Sequence, residues 1–231
     1  MYRRQLIIDE KPRSPIAEAY RAFRTNLQYS KVDGQLKSIL FTSSGPGEGK
    51  SVTSANIAIA LAQGGAKVII LDCDLRRPVQ HLIFGRVATG LTNVLAGEGT
   101  VADYMQDTDI PNLRILASGP IPPNPSELLN SKKMADLLST LGKQADYLII
   151  DTPPVLPVTD TCVLASKVDG IIMVLGAGVV RPVEAQAARD ALERVNGQVL
   201  GVIVNRVKRD DMLGDYYSYG GYYGEVKKTA N

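Results

Sequence analysis

The junction at residues 38–63 constrains this chain most. There an apolar run, Ser38-Ile-Leu-Phe-Thr42, gives way to Ser43-Ser-Gly-Pro-Gly-Glu-Gly-Lys-Ser51 and then to the helical pattern Val52-Thr-Ser-Ala-Asn-Ile-Ala-Ile-Ala-Leu-Ala-Gln63. A strand, a glycine-rich loop and a helix in that order form a phosphate cradle. Glycines 45, 47 and 49 let the backbone turn tightly enough to aim successive N–H groups at phosphate oxygens, and the helix N-terminus adds a favourable dipole. In such a loop Lys50 reaches the β- and γ-phosphates of a nucleotide and the Ser51 hydroxyl ligates Mg²⁺. The strict spacing asks for glycine six residues before the lysine, where this chain has Ser44. The strand before and the helix after carry the assignment despite that departure.

The same alternation continues along the chain. Runs rich in Val, Ile and Leu recur at Lys67–Leu71, Leu113–Ala117, Tyr147–Ile150, Gly170–Leu175 and Val199–Val204. Helical patterns fall near Gly49–Gln63, Lys132–Lys143, Asp160–Ser166 and Pro182–Val195. Ahead of the first strand, Ser14-Pro15 supplies an N-cap and a first-turn proline, which predicts a helix over Pro15–Tyr29. Continuous apolar runs without polar alternation predict strands buried on both faces. The fold class is therefore α/β, a doubly wound, mostly parallel sheet with helices on both faces, the P-loop NTPase fold. Gly119–Pro125, with four prolines, reads as a rigid surface connection. A domain over residues 1–205 is followed at 206–231 by a polar tail rich in Gly and Tyr.

Two carboxylate motifs belong with the loop. One is Val68-Ile-Ile-Leu-Asp72-Cys-Asp74-Leu-Arg76-Arg77-Pro78 and the other is Tyr147-Leu-Ile-Ile-Asp151-Thr-Pro-Pro154. Ligands of open parallel sheets bind beyond the carboxyl ends of the strands, so Asp72, Asp74 and Asp151 are expected around the loop's phosphates. Three carboxylates there repel one another unless a cation is present. Mg²⁺ would be held by Ser51 and the phosphates, with Asp74 and Asp151 binding directly or through its waters.

Charge and cysteine content exclude other classes. Basic and acidic residues number 26 and 24, for a formal net charge of +2 with no long basic run, which predicts no nucleic-acid partner. The longest apolar stretch, Ile171–Val180, is about half of a membrane span, so a soluble, cytoplasmic protein is expected. Two cysteines, Cys73 and Cys162, are too few for a disulfide framework and read as small apolar residues. The lone His81 reads as a packing or surface residue.

These motifs resemble those of the bacterial tyrosine kinases of capsule and exopolysaccharide systems. Gly45-Pro-Gly-Glu-Gly-Lys-Ser51 is similar to their Walker A motif, Asp72-x-Asp74-x-Arg76 to Walker A′, and Ile149-Ile150-Asp151 to Walker B. Glu18-Ala-Tyr-Arg21-Ala-Phe-Arg24 looks like the family's Glu-x-x-Arg-x-x-Arg motif, which is used between neighbouring subunits of a ring. Helical spacing puts Glu18, Arg21 and Arg24 on one face. The tail Asp215-Tyr-Tyr-Ser-Tyr-Gly-Gly-Tyr-Tyr-Gly224 carries half of the chain's ten tyrosines and looks like the phosphoacceptor cluster, Tyr216, Tyr217, Tyr219, Tyr222 and Tyr223.

The resemblance implies an ATP- and Mg²⁺-dependent tyrosine kinase that phosphorylates its own tail, in trans within a homo-oligomeric ring. It also implies a separate transmembrane activator, or polysaccharide co-polymerase, that recruits the chain to the inner face of the membrane, and a cognate tyrosine phosphatase. Nucleotide contacts would come from Gly45, Gly47, Glu48, Gly49, Lys50, Ser51 and Val52 and, on the adenine side, from Asn205 and Arg206. Lys50, Asp72, Asp74 and Asp151 would serve catalysis, Asp72 orienting the attacking phenol and accepting its proton late in the transfer. Arg76 or Arg77 would steady phosphate or substrate. The competing reading is a ParA- or MinD-like positioning ATPase. Those proteins carry a lysine near the start of the loop, where this chain has Gly45.

Overall fold

The structure is a computed structural model and describes residues 6–29 and 36–207. Its elements run in the order α1 (Ile7–Glu10), α2 (Pro15–Tyr29), β1 (Ser38–Thr42), α3 (Lys50–Gln63), β2 (Val68–Asp72), α4 (Gln80–Phe84), α5 (Leu91–Ala96), α6 (Val101–Tyr104), β3 (Gln106–Asp107), β4 (Leu113–Leu116), α7 (Pro125–Asn130), α8 (Lys132–Gln144), β5 (Tyr147–Asp151), α9 (Asp160–Ala165), β6 (Gly170–Gly176), α10 (Pro182–Glu193) and β7 (Val199–Asn205). Among the described residues the strands form one sheet in the order β3-β4-β2-β5-β1-β6-β7. Every pairing is parallel except the short β3 against β4.

Alternate residues of each central strand feed two separate cores. Ile39, Phe41, Ile70 and Ile149 pack with α1, α2 and α3 on one face. Leu40, Ile69, Leu71 and Ile150 pack with helices α5 and α7 to α10 on the other. Helix α3 is buried almost all round, from Thr53 to Ala62, because α1 and α2 lie over its outer side. Ile8, Ala17 and Leu27 close that roof, and Arg24 donates to the Ala60 carbonyl near the C-terminal end of α3 at 3.0 Å.

The six parallel strands, the long helices α2, α3, α8 and α10 and the short α9 fall where the sequence pattern puts them, with ends shifted by a residue or two. Three features differ. Helices α1, α4, α5, α6 and α7, and strand β3, are too short to carry a periodic signal and are held by tertiary contacts. Pro125 does not belong to the preceding connection, because it opens α7 as its first residue. Strand β7 is not buried on both faces: Val202 and Val204 are 50% and 58% exposed, since β7 is the sheet's last strand.

Candidate active site

The carboxyl ends of β1, β2 and β5 meet because β5 lies between the other two, with Asp151 in register with both Phe41 and Asp72. From β1 the chain enters the glycine loop, where Gly47 and Gly49 adopt φ of 79° and 93° before α3 begins at Lys50. The Glu48 side chain turns back into the protein. One of its oxygens accepts from Ser44 Oγ and from the Gly45 N–H, each at 2.6 Å, and the other accepts from the Gly176 N–H at 2.8 Å. Ser44, the residue that breaks the strict glycine spacing, is thus one of the bonds that hold the loop closed. Glu48 remains a loop residue through its backbone, while its carboxylate is spent on the loop's own shape.

Behind the loop, Lys50 Nζ lies 3.0 Å from Ser51 Oγ, 3.1 Å from Asp74 Oδ2 and 3.3 Å from Asp151 Oδ1. Asp72 is fully buried, and its two oxygens accept backbone N–H groups from Asp74, Val79 and Gln80 at 3.0–3.2 Å. The three carboxylates expected here do converge, and Lys50 is the cation between two of them. Among the described residues no group of three or more His, Cys, Asp or Glu is disposed to hold a metal by itself. The donors present suit Mg²⁺ shared with a phosphate: a half-exposed hydroxyl at Ser51 and two carboxylates within reach of it through Lys50. One further atom fits such a shell. Gln80 Oε1 is buried without a hydrogen-bond partner among the described residues.

A family described as an AAA domain matches residues 36–179. The tyrosine-protein kinase YwqD of Bacillus subtilis is 41% identical over 222 residues, covering 96% of this chain and 92% of its own. The putative tyrosine-protein kinase CapB of Staphylococcus aureus is 39% identical, covering 93% of this chain and 95% of its own. The chain belongs to the bacterial tyrosine kinases. Among solved structures, the chimerical protein CapA2B2 superposes on this kinase with a TM-score of 0.86 at 39% identity, covering 89% of this chain and 91% of that one. The kinase domain of Escherichia coli ETK follows at 0.83 and 29%, covering 88% and 82%. MinD of Pyrococcus horikoshii, at a TM-score of 0.65, 24% identity and coverage of 79% and 76%, shares the fold alone.

Burial governs the electrostatics of the kinase site. It lifts the Asp72 carboxyl to about 8, with the charge of Asp151 adding to the rise and the Gln80 N–H opposing it. Asp151 is also raised above the usual carboxylate range by burial, against the pull of Lys50. Burial alone would lower Lys50, but the charges of Asp151 and Asp74 outweigh it and hold the ammonium protonated, above its ordinary value. The kinase therefore keeps one fixed positive charge among buried carboxyls.

The remaining residues sort by position. Asn205 Nδ2 donates to the Glu48 carbonyl at 2.9 Å, which seats the end of β7 against the loop, and Arg206 is exposed beside it. Val52 is half-buried on the first turn of α3. Arg76 is taken up in a bidentate pair with the buried Asp160, at 2.9 and 3.0 Å, so its guanidinium anchors the loop after β2. Arg77 is exposed and donates its backbone N–H to Asp74 at 3.0 Å. On α2, Glu18 and Arg21 pair at 2.9 Å on the surface, whereas Arg24 turns inward to α3. Tyr216, Tyr217, Tyr219, Tyr222 and Tyr223 lie outside the described residues. A cleft of about 440 Å³ beside Ser44, Gly45 and Pro46 is walled by Leu156, Pro157, Val179 and Val180. A slightly larger one, about 460 Å³, sits at the opposite ends of β2 and β4 and touches none of the site. Sequence reasoning missed Gln80 and Asp160. Neither falls in a spacing rule, and only the fold brings Gln80 onto Asp151.

Proposed function

We propose that this kinase transfers the γ-phosphoryl group of ATP to its own tyrosine cluster, Tyr216, Tyr217, Tyr219, Tyr222 and Tyr223, within a homo-oligomeric ring. The observation that carries the reading is Lys50 seated between Asp74 and Asp151 behind the glycine loop of a tyrosine kinase. Backbone N–H groups from Gly47 to Ser51 cradle the phosphates, and Lys50 moves from its carboxylate partners to the β- and γ-oxygens. Ser51 and the carboxylates of Asp74 and Asp151 would hold Mg²⁺, which would supply neutralisation of charge on the transferring phosphoryl group. Asn205 and Arg206 border the adenine. Asp72 orients the phenol and, in its ionised form, takes its proton late; at about 8 its carboxyl stands much closer to a tyrosine pKa of about 10 than an ordinary Asp at about 3.9. The apolar cleft at Leu156, Val179 and Val180 offers an approach for the ring of the incoming tyrosine.

Glu18, exposed on α2, and Arg21, half-buried beside it, form the surface contact of the ring, while Arg24 supports the helix that carries it. A membrane-spanning activator recruits the kinase to the inner face of the membrane and a tyrosine phosphatase resets it, in capsule or exopolysaccharide synthesis. Support for the activator is the chimerical nature of the CapA2B2 relative. Among the described residues no helix is long and apolar enough to cross a membrane.

The test is incubation with labelled ATP and Mg²⁺ followed by acid hydrolysis. Phosphotyrosine in the parent, and its loss when the five tail tyrosines become Phe with ATP binding intact, is the expected result. Free phosphate without phosphotyrosine, or label retained in the five-Phe variant, rejects the reading.

A further inference from the structure

Gln80 is the first residue of α4 and wholly buried, yet it touches all three motifs of the site. Its backbone N–H donates to Asp72 Oδ2 at 3.0 Å. Its Nε2 lies 2.8 Å from Asp151 Oδ2, 3.0 Å from the Ser51 carbonyl and 3.1 Å from Ser54 Oγ. A carboxylate and a carbonyl can only accept, so these contacts fix which end of the amide is nitrogen. The other end, Oε1, is left as a buried acceptor with no donor among the described residues.

The neighbouring donors are already committed. The three contacts of Lys50 Nζ go to Ser51, Asp74 and Asp151, and the Ser54 hydroxyl donates to the Ser51 carbonyl. A buried acceptor left without a donor is destabilising, and such a group in a native fold calls for a partner, an ordered water or a group that arrives with a ligand among them. The partner must be small, a donor, and stable among carboxylates. A water polarised by a divalent cation meets all three conditions.

We propose that Gln80 is a positioning residue of the metal shell, its Oε1 accepting a hydrogen bond from a Mg²⁺-bound water while its Nε2 fixes the orientation of Asp151. The inference rests on the Mg²⁺-nucleotide reading of the site. Outer-shell partners of this kind are worth about 10–100-fold in metal affinity.

The experiment compares the full-length parent with Gln80→Met, which removes both polar atoms, and Gln80→Glu, which keeps an acceptor in place of Oε1. ADP binding is titrated calorimetrically in Mg²⁺ and in EDTA, Mn²⁺ binding in the presence of ADP is followed by electron paramagnetic resonance, and thermal unfolding confirms that each variant folds. Gln80→Met should bind Mn²⁺ about tenfold or more weakly and lose the Mg²⁺-dependent gain in ADP affinity, with ADP binding in EDTA unchanged. Gln80→Glu, which keeps the acceptor but loses the Nε2 bond to Asp151, should retain part of the metal-dependent gain. Parent-like Mn²⁺ affinity in Gln80→Met overturns the proposal, as does an equal loss with and without metal. If Gln80→Met does not fold, complete loss of the metal-dependent gain in a folded Gln80→Glu overturns it and retention of any part supports it. Absence of any metal-dependent gain in the parent rejects the underlying Mg²⁺ reading itself.

Discussion

The Glu48 carboxylate and the Gly176 backbone N–H are joined at 2.8 Å, a bond that ties the phosphate loop to the far end of β6. Because the same buried carboxylate also accepts from Ser44 and Gly45, Glu48→Ala leaves three donors without their acceptor. Stability should fall by about 2–3 kcal/mol in urea unfolding, and ATP affinity should fall with it. Glu48→Gln, which keeps one acceptor oxygen, should lie between alanine and parent.

Gly49 is required twice over. Its φ of 93° disfavours any side chain, and a Cβ there would stand 2.1 Å from Asn205 Nδ2. Gly49→Ala should abolish detectable ATP binding in calorimetry. Adding Asn205→Ala removes the clash but not the left-handed backbone, which costs about 1–2 kcal/mol for a residue with a Cβ, so the double variant should recover only part of the affinity.

Lys50→Met should abolish autophosphorylation and also weaken the nucleotide-free protein. The lysine is paired with Asp74 and Asp151 in a buried setting, and removing one member of such a group costs about 3 kcal/mol or more. Phosphotyrosine immunoblotting reads the first effect and chemical denaturation without nucleotide reads the second. Parent-like stability would show that the pairing carries no weight in the free state.

Asp72 gives the site a pH signature. Its carboxyl is held near 8 by burial, against about 3.8 when exposed. Between those values the folded chain binds a proton that the unfolded chain has released, so the contribution of Asp72 is full below about pH 4 and is lost as pH rises toward 8. In EDTA, urea-derived stability of the parent should therefore decline across that window. Asp72→Asn should flatten the decline, whatever its effect on absolute stability. A slope equal to the parent's would mean that Asp72 is ionised throughout.

The loop, its lysine and the three aspartates were legible in the sequence because each ends or follows an apolar run, and parallel topology forces such ends together. The inward turn of Arg24 was not legible. Helical spacing aligns it with Glu18 and Arg21, but the choice between solvent and the carbonyl of Ala60 depends on α3 lying alongside. Gln80 was hidden for a related reason. It is an ordinary residue after Arg-Arg-Pro until the bonds of Asp72 to Val79 and Gln80 fold the chain back over β2. The short elements α4 to α6 and β3 owe their form to neighbours and carry too few residues for a period to emerge.

The roof that α2 forms over α3 bears on how this protein can change through time. Ala17, Leu27 and Arg24 steady the helix that starts at Lys50, and Glu18 and Arg21 occupy the outer side of the same fifteen-residue segment. Inheritance cannot separate the two sides: a lineage that redraws the outward surface must do so on a helix whose inner surface is already spoken for. Its outward variation should be confined to positions such as Glu18 and Thr25, and a descendant that sheds α2 altogether would need another covering for the apolar flank of α3.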